Sequence, residues 1–357
     1  MKRILLIRLR LIGDVVFTTP IPRALKRVFQ EARLTYLVEA EAAPVVAHNP
    51  YLDEIVVVPR GRGLSRLAGD LRLAARLRRA RFDLVIDLHG GPRSSWLALA
   101  TGAPERIGYT ITGRAWMYTR AVHRPRELRA RHSVVNQWDL LEAIHGWPST
   151  PPDPVRDAVE MAPDPVAETA VARRLAAAGV GPGDELIVVH VSAGNPFRRW
   201  PEPAFTRLVA GLAQASAARR IVLSSGPSDA GAAARIAEAA RRELGGDANR
   251  IVAFGDFDLA ELRALIAHSR LFVGGDTGPL HIAATTSTPI VGVYGPTLPA
   301  RSAPWRDPGV PTESVEVAGL PCRPCDQRIC EPGDFRCLTT LRPEEVLSAA
   351  ERAMTRR

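Results

Sequence analysis

Val273-Gly274-Gly275-Asp276-Thr277-Gly278-Pro279-Leu280-His281 follows the apolar pair Leu271-Phe272 and precedes Ile282-Ala283-Ala284. A short run of strand-forming residues stops at two glycines, and an apolar helical pattern starts near Gly278 and Pro279. Proline suits a first helical turn, where its missing N–H has no partner to lose. Such a strand-to-helix turn is the unit from which parallel α/β sheets are built. Glycines let a backbone approach a ligand closely, and free amides at a helix start attract phosphate. The segment from Gly274 to His281 therefore reads as a cradle for a diphosphate. Thr277 adds a hydroxyl and His281 a proton donor. A carboxylate repels phosphate, so Asp276 is expected to accept from backbone amides or a sugar hydroxyl. The plainer alternative is a turn capped by Asp276 or Thr277, with His281 in the core.

The same rhythm extends in both directions. Strands are expected at residues 4–7, 34–38, 55–58 and 84–87, with helices between them, notably 66–80. Six prolines between Pro148 and Pro165 suit a linker. Strands resume at 186–191, 221–225, 251–254, 271–274 and 290–294, and residues 342–354 read as a last helix. The expected architecture is two doubly wound α/β domains, residues 1–150 and 166–341, joined by a linker at 151–165. Open parallel sheets bind ligands beyond the carboxyl ends of their strands. Two such domains are expected to face a central cleft.

Three further motifs follow strand ends or stand apart. Leu9-Arg10-Leu11-Ile12-Gly13-Asp14-Val15 leads from the first strand into a helix. Gly13 permits a tight turn. Asp14 either takes a proton from an attacking hydroxyl or caps the helix. Val191-Ser192-Ala193-Gly194-Asn195-Pro196-Phe197-Arg198-Arg199-Trp200 follows the first strand of the second half. Its paired arginines either clamp a diphosphate or belong to a solvated loop. Cys322, Cys325, Cys330 and Cys337 fall within sixteen residues. They form either a structural zinc site or a set of free thiols in a tail loop, the second reading being preferred. Asp258 of Asp256-Phe257-Asp258 reads as a helix N-cap rather than a metal ligand.

Composition narrows the class. With 46% hydrophobic and 24% charged residues, the chain of 357 residues can bury two cores. No apolar run approaches the ~20 residues of a membrane span. Arg8 and Arg10 interrupt the apolar start, so a signal peptide is not expected. From Arg60 to Arg131 there are 16 arginines against five acidic residues, a local balance of +11. Such a stretch favours anionic partners or is simply a solvated face. No nucleic-acid-binding signature accompanies it. Phosphate-loop, nucleophile-elbow and zinc-protease motifs are absent.

Together these motifs resemble glycosyltransferase family 9, the ADP-heptose:lipopolysaccharide heptosyltransferases, over nearly the whole chain. Asp87-Leu88-His89-Gly90 with Arg93-Ser94, Arg106-Ile107-Gly108-Tyr109 and Tyr294-Gly295-Pro296-Thr297 carry the resemblance between the motifs above. It implies a GT-B fold of two Rossmann-like domains, with residues 342–357 packing back toward the first. It implies an inverting transfer that requires no metal or other cofactor, Asp14 as the base and Arg198 assisting departure of the diphosphate. Ser192, Arg199, Gly275, Asp276, Thr277, Gly278 and His281 fall to the donor, with Phe257 on adenine and Asp229 near the ribose. Gly13 and Arg93 fall to the acceptor. The partners implied are an ADP-sugar and a phosphorylated, lipid-linked saccharide. The protein is expected to be a cytoplasmic monomer peripheral to the inner membrane, binding no nucleic acid. One departure stands out: Arg198 occupies the place where the family usually has lysine. An enzyme acting on a UDP-sugar, or a non-catalytic nucleotide-sugar-binding protein, are the alternatives.

Overall fold

The computed structural model describes residues 1–123, 131–252, 254, 256–325 and 327–356. Arg124, Arg126, Glu127 and Arg129 of the arginine-rich stretch lie outside the described residues, as do residue 253 of the strand expected at 251–254 and residue 357 of the last helix. The chain divides into two compact units, Met1–Ala162 and Pro163–Arg357.

The first unit carries β1 (Arg3–Ile7), β2 (Arg33–Glu39), β3 (Glu54–Val58), β4 (Leu84–Asp87), β5 (Glu105–Tyr109) and β6 (Arg120–Val122), ordered β3-β2-β1-β4-β5-β6. The second carries β7 (Glu185–His190), β8 (Arg219–Ser224), β9 (Ile251–Val252), β10 (Leu271–Gly275), β11 (Ile290–Tyr294) and β12 (Thr312–Glu316), ordered β12-β11-β10-β7-β8-β9. Every strand pair is parallel. Read from β7, the second sheet repeats the strand order of the first. Its central strands are buried, β11 throughout and β10 up to the half-exposed Gly275, because helices cover both faces. The sequence leaves β5, β6 and β12 unread. They contain charged residues, and β6 and β12 are half-exposed edges with no continuous apolar run to mark them.

In each sheet the connections reverse direction at one point, between β1 and β4 and between β7 and β10. A crevice opens there beyond the strands' carboxyl ends. The chain leaves β1 toward Asp14, β4 toward His89, β7 toward Ser192 and Arg198, and β10 toward Asp276 and Thr277. The motifs thus converge on two switch points, one in each unit.

Residues 151–162, read from their prolines as linker, are strapped onto the first unit. Asp157 is fully buried and pairs with Arg27 at 2.5 Å, while Glu160 accepts from Asn49 Nδ2 at 3.0 Å. The Glu160 amide donates to Thr19 Oγ1 at 2.8 Å. In the last helix, Pro343–Thr355, the stripe of Val346, Ala349, Ala350, Ala353 and Met354 lies in the second unit's own core. That stripe has helical spacing, and an apolar stripe is retained where it is buried. Arg219 anchors the polar side through Glu351 at 2.6 Å.

Candidate functional site

The glycine pair after β10 divides in its role. A Cβ on Gly274 would stand 3.0 Å from the Phe272 ring and 3.3 Å from His190 Cβ, so packing accounts for that glycine. A Cβ on Gly275 would make only ordinary contacts, the nearest at 3.7 Å. Thr277 is the extended residue before helix Gly278–Ala283, but its hydroxyl donates to the Gly275 carbonyl at 3.3 Å and does not cap the helix. Asp276 does not cap it either, and its carboxylate does not receive backbone amides as expected. Oδ2 accepts from Thr297 Oγ1 at 2.5 Å and lies 3.4 Å from Arg198 Nη1, and Oδ1 lies 3.4 Å from His281 Nε2. Burial alone would raise this carboxyl. The hydrogen bond and charge of His281, the charge of Arg198 and the Thr297 hydroxyl outweigh burial and hold it down at about 2. Asp276 and His281 are both buried. Asp276 therefore holds the turn together from beneath, engaged by Arg198, the Thr297 hydroxyl and His281.

Arg198 lies along the outside of that turn. Its Nη1 donates to the Asp276 carbonyl at 2.8 Å and its Nε to Gln327 Oε1 at 2.7 Å. The neighbouring Arg199 reaches Asp229 Oδ1 at 3.2 Å and the Ala193 carbonyl at 3.0 Å. Asp229 is buried and also receives the hydroxyls of Ser192 and Ser228. Beneath them His190 is pushed down by burial to about 4, against the nearby charge of Asp229. Its Nδ1 is 3.0 Å from Ser224 Oγ. Phe257 is half-buried, with the Arg174 guanidinium over its ring at 4.0 Å. Asp258 caps helix Leu259–Ala267 in a reciprocal box with Glu261, as its spacing suggested.

In the first unit Asp14 is the third residue of helix Ile12–Val16, and its Oδ2 receives the amide of Leu11, the N-cap residue, at 3.5 Å. The same Oδ2 is 2.5 Å from Nη2 of Arg8, a buried arginine that also donates to the Leu88 carbonyl at 2.6 Å. Asp14 is the more open partner, with 40% of its side chain exposed. Gly13 is buried in the same helix. Asp87 ends β4 and is fully buried, accepting from the amides of His89 and Gly90 and from Tyr118 Oη at 2.7 Å. Burial, then the charge of Arg8, lowers the His89 imidazole below its ordinary range. Arg93, assigned to the acceptor, is bound by the Asp70 carboxylate, and its Nη1 is 3.6 Å from Glu39. It walls a cavity of about 700 Å³ that is also lined by Arg10, Arg60, Arg62, Arg66 and His89.

Sequence reading gave Arg8 and Gln327 no site role and took Thr297 only as the end of the Tyr294–Thr297 motif. Arg8 carries a signal: a charge placed directly after a buried strand needs a partner there. The role of Thr297 against Asp276 and of Gln327 against Arg198 carries none, because those partners lie 21 and 129 residues away. The four cysteines are free, and all line one cavity of about 520 Å³. Burial first, and the other three thiols in part, push the Cys337 thiol up. Among the described residues, no three histidine, cysteine or acidic side chains are grouped to hold a metal ion. Among the same residues, no helix is long and apolar enough to cross a membrane.

Comparison with known proteins places this geometry in a family. The profile of glycosyltransferase family 9 (heptosyltransferase) matches residues 71–331. The chain is 26% identical over 349 residues to lipopolysaccharide heptosyltransferase 3 of Escherichia coli K12, covering 96% of this chain and 95% of that protein. Among solved structures, a family 9 glycosyl transferase from Veillonella parvula superposes with a TM-score of 0.84 at 23% identity, covering 99% and 97% of the two chains. An E. coli heptosyltransferase solved with ADP superposes with a TM-score of 0.70 at 19% identity, covering 98% and 99%. With a profile match over most of its length and two parallel six-stranded sheets of GT-B type, this chain belongs to glycosyltransferase family 9 and is a glycosyl-transferring enzyme.

Proposed function

We propose that this enzyme moves a heptose from an ADP-sugar to a hydroxyl of a phosphorylated, lipid-linked saccharide of the lipopolysaccharide-core type. The observation that carries the reading is Arg198 laid along the 275–277 turn at the β7/β10 switch point, with the ionised Asp276 bound beneath it by Thr297 and His281. A turn so arranged offers a diphosphate the Arg198 charge and the amides of Thr277 and Gly278, the Asp276 amide being taken by the Val293 carbonyl at 3.2 Å. Two of the proteins named above are heptosyltransferases, and one of these was solved with ADP.

In this reading the step is a single displacement without metal. Asp14 takes the proton of the acceptor hydroxyl. The hydroxyl oxygen forms a bond to the anomeric carbon as the bond from that carbon to the diphosphate oxygen breaks. ADP leaves with the electron pair, and configuration inverts. Arg198 and the turn amides stabilise the charge that develops on the leaving group, a preorganised effect that costs no rearrangement at the moment of reaction. Ser192, Arg199 and Asp229 form a polar set for the nucleoside side of the donor. Phe257, backed by Arg174, offers a ring for adenine. Thr277 falls to the sugar and diphosphate in this reading, and His281, buried against Asp276, supports the turn from below.

The acceptor's anionic groups fall to the arginine-lined cavity of the first unit, with Gly13 beside Asp14. Arg93 shapes that cavity from within its ion pairs, not as an open cation. Action at the cytoplasmic face of the inner membrane, as a monomer, completes the proposal. It is tested by thermal unfolding with ADP, UDP and GDP, since a ligand at 100 times its Kd stabilises by about 2.7 kcal/mol. ADP alone is expected to raise the midpoint. A shift with UDP instead favours the UDP-sugar alternative.

A further inference from the structure

The loop after the first two cysteines does more than pack. Gln327 sits there with φ at +57°, a conformation costly for a side chain other than glycine and retained where surroundings impose it. Its amide donates to Cys325 Sγ at 3.3 Å. Its Oε1 accepts from Arg198 Nε at 2.7 Å and from Asn195 Nδ2 at 3.0 Å. Asn195 Oδ1 in turn accepts from the Phe197 amide at 3.0 Å, and the Phe197 ring meets Phe335 edge-on at 5.2 Å. The 195–198 turn is therefore braced by the cysteine-rich loop at both ends.

That loop is itself fastened to the floor of the same turn. Arg323 Nη2 donates to the Thr297 carbonyl at 2.6 Å and pairs with Glu316 at 2.6 Å, and the Cys325 amide donates to the Pro296 carbonyl at 3.2 Å. Thr297 is the residue whose hydroxyl binds Asp276. The contacts close a ring: Asp276 to Thr297, Thr297 to Arg323, along the chain to Gln327, from Gln327 to Arg198, and from Arg198 back to the Asp276 carbonyl. A long arginine side chain loses up to ~2 kcal/mol of rotamer freedom when fixed. Held at Nε and Nη1, Arg198 has lost that freedom before any ligand arrives, and its remaining N–H groups are left to face a ligand.

We infer that Gln327 is a positioning residue for Arg198, and that Gln327, with Arg323 and Cys325 fastened before it, presets this arginine for the leaving diphosphate. The inference rests on the donor site proposed above. Arginine is a planar fork whose value depends on its orientation, unlike a compact ammonium. A fork in this place needs a device that fixes its plane, and the Gln327 carbonyl at Nε is such a device.

The test is a double-mutant cycle on ADP binding, read by calorimetry with the full-length protein. Gln327→Leu is expected to weaken ADP about five- to tenfold and to raise KM for the ADP-sugar, with KM for the acceptor and the unfolding midpoint of the ligand-free protein unchanged. In an Arg198→Ala background the same change is expected to have no further effect. Additive losses, or an ADP affinity unchanged by Gln327→Leu alone, overturn the inference and leave the donor assignment standing. An ADP affinity unchanged by Arg198→Ala overturns the donor assignment and the inference with it.

Discussion

Arg8 Nη2 lies 2.5 Å from Asp14 Oδ2, so the carboxylate proposed as the base is held by a buried cation rooted at the end of the central strand β1. The same guanidinium is fixed by the Leu88 carbonyl after β4. Two strands flanking a switch point thus determine where one carboxylate points. Geometry of this kind matters because a misplacement of about 1 Å costs on the order of 10²-fold in rate.

Arg8→Ala is therefore expected to lower kcat at least about tenfold and to leave ADP affinity unchanged, since the proposed nucleotide contacts all lie in the second unit. It is also expected to cost roughly 1–3 kcal/mol of stability, less than for a fully buried pair because Asp14 is partly open to water. Steady-state kinetics, ADP calorimetry and urea unfolding separate these effects. Arg8→Lys, which keeps the charge but not the fork, should fall between.

Asp276 contributes to stability only while ionised. Its carboxyl is held at about 2 in the folded chain against an ordinary 3.8, so the contribution is complete above pH 3.8 and is lost as pH falls through about 2. The difference corresponds to about 2 kcal/mol. Asp276→Asn is expected to lower the urea-unfolding free energy by that order at pH 6, with a smaller gap to wild type at pH 3. An equal gap at both values contradicts the ion network described here.

His190 has the opposite charge type and loses stability over a higher pH range. Burial lowers it to about 4, so the folded state keeps it neutral while the unfolded chain takes up a proton near 6.5. Its contribution is complete above pH 6.5 and declines as pH falls from 6.5 to 4, by roughly 3 kcal/mol at most. His190→Gln, which retains a partner for Ser224, is expected to flatten the fall in unfolding midpoint between pH 7 and pH 4.5.

Much of this molecule is legible in its sequence because a parallel sheet buried on both faces writes itself as apolar runs. β1, β4, β7, β10 and β11 are such runs, and a motif follows each of them. What is not legible depends on partners distant along the chain. Asp276 reads as a cap or sugar ligand until Thr297 and His281 are seen beside it. Arg93 reads as an open cation until Asp70 and Glu39 are found on it. The prolines after Trp147 signal the absence of regular structure correctly, but a segment without it can still be strapped down by a buried Asp157. Local composition specifies conformation, whereas the ionic partners are chosen by the fold.

Whether Asp14 drives the transfer is read from ADP release from ADP-heptose in the presence of a phosphorylated lipopolysaccharide-core acceptor. Wild-type enzyme should release ADP only when acceptor is added. Asp14→Asn should slow release by about 10²-fold or more, the range expected for loss of a general base, while ADP still raises its unfolding midpoint as in wild type. Turnover of Asp14→Asn within a few-fold of wild type, with ADP binding intact, would contradict the account.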